Sequence, residues 1–262
     1  MKAILFDMDG VVYNAEQPIA GAAEALQWVR KRGIPHLFVT NTTSRARDVL
    51  AAKLGRFGID ASEADILTPC VAAMQWLRSQ KRGGVALFLR PAVRQEFDGL
   101  DCLPEHAETG ARYVVIGDLG DLWDFRTLNR AFRLLHSDPG AILIALGMTR
   151  FWQAEDGIAL DVAPFVAALE HASGRKARVF GKPAEAFFHA ARAALHVEAG
   201  DAVMIGDDIV TDVGGAQEAG LRGVLVKTGK FRPRDLTGEI QPYAVLDSIA
   251  DLPAWWEKFS AS

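Results

Sequence analysis

Two carboxylates one residue apart close the first apolar run of the chain, Ala3-Ile4-Leu5-Phe6-Asp7-Met8-Asp9-Gly10-Val11-Val12. An uninterrupted apolar run reads as a buried strand. Ending such a strand in Asp-x-Asp is costly unless a cation or hydrogen-bond donors offset the charge. Residues i and i+2 of a strand point the same way, so strand geometry kept to its end aims Asp7 and Asp9 at one site. Gly10 then lets the chain turn away with no side chain across that site. Two like charges so placed suit a divalent metal, general acid–base work, or both.

Three further apolar runs end in polar groups. Phe38-Val39-Thr40-Asn41-Thr42 offers a hydroxyl, an amide and backbone N–H groups to a phosphate oxygen, although an ordinary turn with a helix cap is the better reading of this segment alone. Val179-Phe180-Gly181-Lys182-Pro183 places a lysine after a strand, either aimed at the sheet's end or, like most lysines, solvated. Ala202-Val203-Met204-Ile205-Gly206-Asp207-Asp208-Ile209-Val210-Thr211-Asp212 carries three carboxylates after one strand, more than caps require. Of these Asp208 is the best N-cap candidate. Val114-Val115-Ile116-Gly117-Asp118 also reads strand-Gly-Asp, but no lysine-bearing strand accompanies it. It is expected to be a turn, with substrate contact the weaker alternative.

The elements that must position these groups alternate. Helix periodicity covers Ala20 to Arg32, with Ala25, Leu26 and Val29 on one face and Gly33 as its stop. A strand follows over Pro35–Thr40, then a helix from a Ser44 cap to about Phe57, the apolar pair Ile66-Leu67, and a helix over Val71–Gln80 with Met74 and Leu77 inward. A break at Lys81-Arg82-Gly83-Gly84 opens a second series: strands Val85–Leu89, Tyr113–Ile116 and Ile142–Leu146, helices Phe125–Leu135 and Val162–Ala172. After a second break at Ser173-Gly174-Arg175-Lys176 the first pattern resumes, with strands Arg178–Phe180, Ala202–Ile205 and Gly223–Val226 and helices Ala184–Leu195 and Val210–Ala219. Such alternation implies a doubly wound parallel α/β sheet. Residues 80–177 then read as an inserted α/β domain and residues 1–79 with 178–262 as a core discontinuous in sequence. The alternative is one continuous domain in which both breaks are surface turns. All four polar segments fall at carboxyl ends of strands, where doubly wound sheets bind ligands.

Composition narrows the partners. The chain has 262 residues, half of them hydrophobic, and a net charge of −4. No basic run or stripe argues for nucleic acid, and no apolar stretch reaches the ~18 residues that span a bilayer. The two cysteines, Cys70 and Cys102, lack CxxC spacing. With a first strand that starts directly after Met1-Lys2, they lead to the expectation of a cytoplasmic protein without a signal peptide.

Taken in order, Asp-x-Asp-Gly-Val, Thr-Asn, Gly-Lys-Pro and Gly-Asp-Asp-x-x-x-Asp resemble the haloacid dehalogenase superfamily of phosphatases. The large insertion between the second and third motifs resembles subclass IIA, the NagD type, with its inserted C2 cap. Phe-Val-Thr-Asn-Thr-Thr, Asp-Val-Gly-Gly-Ala-Gln and Val-Lys-Thr-Gly-Lys look like the branch that holds haloacid dehalogenase-like hydrolase domain-containing protein 2 and phospholysine phosphohistidine inorganic pyrophosphate phosphatase. The resemblance implies a Rossmann-like core and a Mg²⁺-dependent phosphatase acting on a small phosphorylated compound. Asp7 would attack phosphorus as nucleophile, and Asp9 would be the general acid and base. Mg²⁺ would be held by Asp7, the backbone carbonyl of Asp9, and Asp207. Thr40, Asn41 and Lys182 would bind phosphate, with Asp212 and Asp208 supporting the metal waters or Lys182. A homodimer through the cap is also implied.

In the cap, Gly147-Met148-Thr149-Arg150-Phe151-Trp152-Gln153 matches the position of the substrate loop but lacks Asn-Pro-Asp. Arg150 could pair with a substrate anion and Trp152 or Phe151 could stack. Equally, the aromatics could pack inside the cap with Arg150 solvated. Relatives in this branch can carry Ser at the position of Asp9, so their substrates do not transfer directly. Dehalogenation by the same Asp leaves Asp9 and Asp207 without a task. A non-catalytic phosphate-binding or regulatory protein is the reading from another class, and every expected polar group is present against it.

Overall fold

The computed structural model describes residues 1–154 and 157–260. Its strands, in chain order, are β1 (Ala3–Asp7), β2 (Tyr13–Asn14), β3 (Gln17–Pro18), β4 (His36–Val39), β5 (Ile66–Leu67), β6 (Gly84–Phe88), β7 (Ala111–Ile116), β8 (Ile142–Ala145), β9 (Phe151–Ala154), β10 (Gly157–Leu160), β11 (Arg178–Val179), β12 (Ala202–Gly206), β13 (Arg222–Val226) and β14 (Ala244–Leu246). Two compact units result. The first comprises Met1–Thr40, Arg47–Leu67 and Lys182–Ser262, the second Asn41–Ala46 and Thr68–Gly181.

The first unit is built on a six-stranded sheet of order β14-β13-β12-β1-β4-β5, with every pair parallel. Its central strand is apolar because both faces are covered: Ala3, Ile4, Leu5 and Phe6 have no exposed surface. The chain leaves β1 for β4 on one side and returns to β12 on the other. That is the reversal of strand order at which open α/β sheets form a crevice. In register, Asp7 lies opposite Val39, and Phe6 opposite Ile205. The polar residues that follow β1, β4 and β12 are thereby brought to one sheet edge. Helix Ala22–Lys31 turns Ala22, Ala25, Leu26 and Val29 into the core that also takes Ile4 and Phe6.

The second unit has a four-stranded parallel sheet, β11-β8-β7-β6. Helices Phe125–Ser137 and Val162–Ser173 place Ala131, Leu134, Leu135, Val166 and Leu169 in one core with Val114, Ile116 and Leu143. Helix Pro69–Arg78 belongs to the same unit; Thr68 caps it by accepting from the Val71 N–H at 3.3 Å.

Some local readings differ from these elements. The strand at Arg178 pairs with β8 of the second sheet and does not resume the first pattern. The helix expected from Ser44 begins at Arg47, and Ser44 instead lies 3.4 Å from the Thr42 hydroxyl. The helix expected over Val210–Ala219 is a wide helical turn, Ile209–Gly214, followed by one short α-turn, Gly215–Glu218. No helix among the described residues is long and apolar enough to cross a membrane.

Candidate active site

Asp7 is the last residue of β1, and Lys182 follows β11 on the loop that re-enters the first unit. Both are buried, at 8% and 6% exposure. The Lys182 ammonium donates to Asp7 Oδ1 at 2.5 Å and to Asp212 Oδ1 at 2.7 Å. A lone buried ammonium would cost several kcal/mol, and two carboxylates offset it. Asp212 reaches Lys182 because the wide turn folds it back: its Oδ2 accepts from the Asp208 N–H at 3.1 Å. Asp208 caps that turn, accepting from the Val210 and Thr211 N–H groups at 3.0 Å each.

Asp207 follows β12 and is 1% exposed. Its Oδ2 accepts from the Lys230 N–H at 2.7 Å, whereas its Oδ1 is buried without a hydrogen-bond partner. One carboxylate oxygen from each of Asp7, Asp207 and Asp212 can be chosen so that all lie within 4.8 Å of one another. Asp212 already accepts at both oxygens, so the unfilled coordination belongs to Asp207 beside Asp7. Glycines make room for this cluster. A Cβ on Gly10 or on Gly229 would fall on the Asp207 carboxylate, and one on Gly206 would fall on Asp212. Gly10 (φ 90°) and Gly229 (φ 61°) also occupy the left-handed region that favours glycine. The Thr228 hydroxyl donates to the Gly10 carbonyl and ties the two loops together. An orphaned buried carboxylate oxygen in a glycine-lined cradle of hard oxygen donors fits a divalent cation such as Mg²⁺.

Burial pushes the Asp7 carboxyl up to about 7, with Asp212 and Asp207 adding to the shift and Lys182 opposing it. Burial likewise raises Asp207 to about 6, against the hydrogen bond from Lys230. For Lys182, burial alone would lower the pKa. The Asp212 and Asp7 carboxylates outweigh it and hold the ammonium charged, above its ordinary value. The site carries more negative charge than its lysine neutralises, the condition in which a cation is gained readily.

The remaining expected residues are placed differently. The strand ends at Asp7 and the chain turns at Met8, whose carbonyl accepts from the N–H groups of Val12 and Tyr13. The period of two therefore stops short of Asp9. Its exposed carboxylate lies outside the three-carboxylate cluster and accepts from the Ala15 N–H at 3.3 Å. Thr40 is buried just past β4 in the first unit, while Asn41 groups with the second. Arg150, Phe151 and Trp152 belong to the second unit. Phe151 and Trp152 are about half exposed, at 52% and 49%, and so do not pack inside it. Arg150 is exposed and lies 5.9 Å from the Phe151 ring. The Gln153 side chain lies outside the described residues. Gly117-Asp118 is a turn: the Asp118 N–H donates to the Thr43 hydroxyl, and its carboxylate accepts from the Gly120 N–H and from Arg90. Sequence reasoning missed the Lys230 backbone contact to Asp207. The signal was the Val-Lys-Thr-Gly-Lys run, in which a glycine follows a buried strand.

The family model for haloacid dehalogenase-like hydrolases matches residues 4–102, and a second, described as "HAD-hyrolase-like", matches residues 179–252. Human phospholysine phosphohistidine inorganic pyrophosphate phosphatase is 39% identical over 96% of this chain and 91% of its own length. Haloacid dehalogenase-like hydrolase domain-containing protein 2 of Bos taurus is 40% identical over 94% and 95%. Among solved structures, the p-nitrophenyl phosphatase from Archaeoglobus fulgidus superposes with a TM-score of 0.87 and 27% identity, covering 97% of this chain and 98% of that one. With the parallel sheets, the aspartate–lysine edge and these relatives together, the chain belongs to the haloacid dehalogenase-like hydrolases and is a phosphatase.

Proposed function

We propose that this phosphatase hydrolyses a small phosphorylated compound with Mg²⁺, through an aspartyl phosphate on Asp7. The observation that carries the reading is the unpartnered Asp207 Oδ1 in a cluster with an Asp7 already paired to Lys182. Asp7, Asp207 and the Asp9 carbonyl would hold Mg²⁺, which would supply positive charge against the repulsion between carboxylate and phosphate. The Asp7 carboxylate attacks phosphorus and the P–O bond to the leaving group breaks. Asp9 delivers a proton to the departing oxygen, then takes one from the water that cleaves the acyl phosphate. Lys182, held by Asp212, offsets charge on Asp7 and on the phosphate. Thr40 and the Asn41 N–H bind phosphate oxygens, and Asp208 keeps the turn that carries Asp212. Arg150 and Trp152 are the cap residues proposed to select the leaving group, with residues 80–177 as the cap. We further propose a cytoplasmic enzyme that binds neither nucleic acid nor membrane and dimerises through the cap.

Relatives named for phospholysine, phosphohistidine and pyrophosphate make phosphoamino acids and pyrophosphate the first compounds of a substrate panel, with p-nitrophenyl phosphate as reporter. Turnover is expected with Mg²⁺ and is expected to vanish with EDTA. Asp7→Asn is expected to lose at least about 10³-fold in kcat, since a neutral amide cannot attack. Undiminished turnover by that variant would remove Asp7 as the nucleophile.

A further inference from the structure

Among the described residues of the first unit, one buried charged side chain lies away from the aspartate cluster. Lys53, on helix Arg47–Arg56, is 4% exposed. Lysine is almost never buried unless its ammonium is paired. Here the ammonium donates to the Ala15 carbonyl at 2.7 Å and to Glu16 Oε1 at 3.0 Å, and it lies 4.0 Å from the centre of the Tyr13 ring. All three partners sit on the β2–β3 hairpin that follows Asp9 and Gly10.

The hairpin is not relaxed. Ala15 has φ 50°, in the left-handed region that a residue with a Cβ adopts only under constraint. Its two backbone polar groups go to different partners. The carbonyl is held by Lys53, and the N–H donates to Asp9 Oδ1 at 3.3 Å. A second tie, from the Gly10 N–H to the Tyr13 carbonyl at 2.6 Å, closes the hairpin onto the same turn. A buried cation, a strained residue and the exposed Asp9 carboxylate thus form one chain of contacts.

We propose that Lys53 is a positioning residue for Asp9. By fixing the Ala15 carbonyl it keeps the Ala15 N–H on one oxygen of Asp9, so the other presents the proton in a fixed direction. This rests on the acid–base role proposed for Asp9. The fold has limited need of this charge. The Glu16 side chain is 66% exposed and is solvated without Lys53, and an apolar side chain of similar length would fill the same slot.

The test is Lys53→Met, assayed with Mg²⁺ on two monoesters. p-Nitrophenyl phosphate releases a stabilised phenolate and needs little proton assistance; an alkyl monoester such as glycerol phosphate needs a full proton. Read as kcat/KM, which reports the step in which the leaving group departs, the alkyl ester is expected to lose about tenfold and the nitrophenyl ester less than about twofold. Complete loss of general acid catalysis would cost 10²-fold or more, and Lys53 only aims the group. In an Asp9→Asn background, Lys53→Met is expected to add nothing, because the group it aims is gone. Should Lys53→Met fail to fold, Lys53→Gln keeps a polar head in the slot on a side chain one bond shorter, which withdraws the donor from the Ala15 carbonyl, and is expected to give the same split. Equal losses on both esters, no loss on either, or additive losses with Asp9→Asn would overturn the proposal. Turnover that survives Asp7→Asn would instead defeat the underlying reading of the site.

Discussion

The molecule contains the same local motif twice, with opposite outcomes. Asp207 and Asp118 each follow a glycine at the end of an inner strand of a parallel sheet, β12 in the first unit and β7 in the second. Asp118 is fully satisfied. Its N–H donates to the Thr43 hydroxyl at 3.1 Å, its Oδ1 accepts from Gly120 at 2.7 Å, and its Oδ2 accepts from Arg90 at 3.3 Å. Asp207 keeps an oxygen buried and without a partner, clustered with two more carboxylates. The strand neighbours make the difference. Beside β12 stands β1, which ends in Asp7; beside β7 stands β6, followed by Arg90, which neutralises the turn. Strand-Gly-Asp therefore says only that a carboxylate stands at a sheet edge. The next strand decides whether it is a cap or part of a carboxylate cluster.

Removing the charge from Asp207 should separate the two aspartates most. Asp207→Asn retains an oxygen for the Lys230 N–H but loses the anionic oxygen proposed to hold Mg²⁺, and activity at fixed Mg²⁺ is expected to fall by about 10²-fold. The same variant should be more heat-stable than the parent in EDTA at neutral pH, because it no longer carries a buried, uncompensated charge. A thermal melt beside a Mg²⁺ titration of activity reads both effects. A variant less stable in EDTA with Mg²⁺ activation intact would make Asp207 another structural cap.

The sequence displays the Asp207 side of this comparison because fully buried parallel strands are written as apolar runs, and β1 and β12 end in polar residues that no core would accept. Asp7 and Asp207 stand about two hundred positions apart, yet the strand-end rule brings them to one edge; Lys182 follows a strand of the second sheet and joins them through the loop that re-enters the first unit. Other features left no such trace. The β2–β3 hairpin has two residues per strand, too few for any period. Lys53 is one lysine among several on amphipathic helices, and its burial depends on the hairpin folding over it. The wide turn at Ile209–Gly214 has helix-like composition. Its departure from α geometry goes with contacts made by Asp212 to the Asp208 N–H and to Lys182, and the second, 30 positions away, lies outside any local window. Arg178-Val179 is apolar-flanked like a core strand, but pairing with β8 or with β1 is a question of topology and not of pattern.

A second contrast is the response to pH. Burial raises Asp7 to about 7 and Asp207 to about 6. The native state thus holds protons that the unfolded chain sheds near pH 4. Where the native state binds more protons, stability falls as pH rises, here from about pH 4 to about pH 7. Mg²⁺ bound as proposed by the deprotonated carboxylates would reverse that loss, so its stabilisation should grow across the same window. At saturating Mg²⁺ the gain at pH 8 is expected to be about 2–3 kcal/mol, or roughly 5–10 °C in Tm. At pH 5 it should be much smaller. Melting curves with Mg²⁺ and with EDTA at the two pH values test this. A shift equal at both would mean that the cation binds outside the aspartate cluster.

The smallest effect is expected at the other aspartate. Asp118→Asn preserves an oxygen for the Gly120 N–H and leaves the backbone bond to Thr43 untouched; only the ionic part of the Arg90 contact is lost. That pair is partly exposed, with side chains 40% and 21% accessible, so its removal should cost no more than about 1 kcal/mol. Unlike Asp207, Asp118 is not among the clustered carboxylates Asp7, Asp207 and Asp212, so its neutralisation should leave Mg²⁺ activation unchanged and kcat/KM within about twofold. Urea midpoints and a Mg²⁺ titration on the same preparation decide the matter. A tenfold loss of kcat/KM without loss of stability would show that the second strand-Gly-Asp turn also meets the substrate. The contrast between the two motifs would then be one of ligand, metal against leaving group, and not of site against turn.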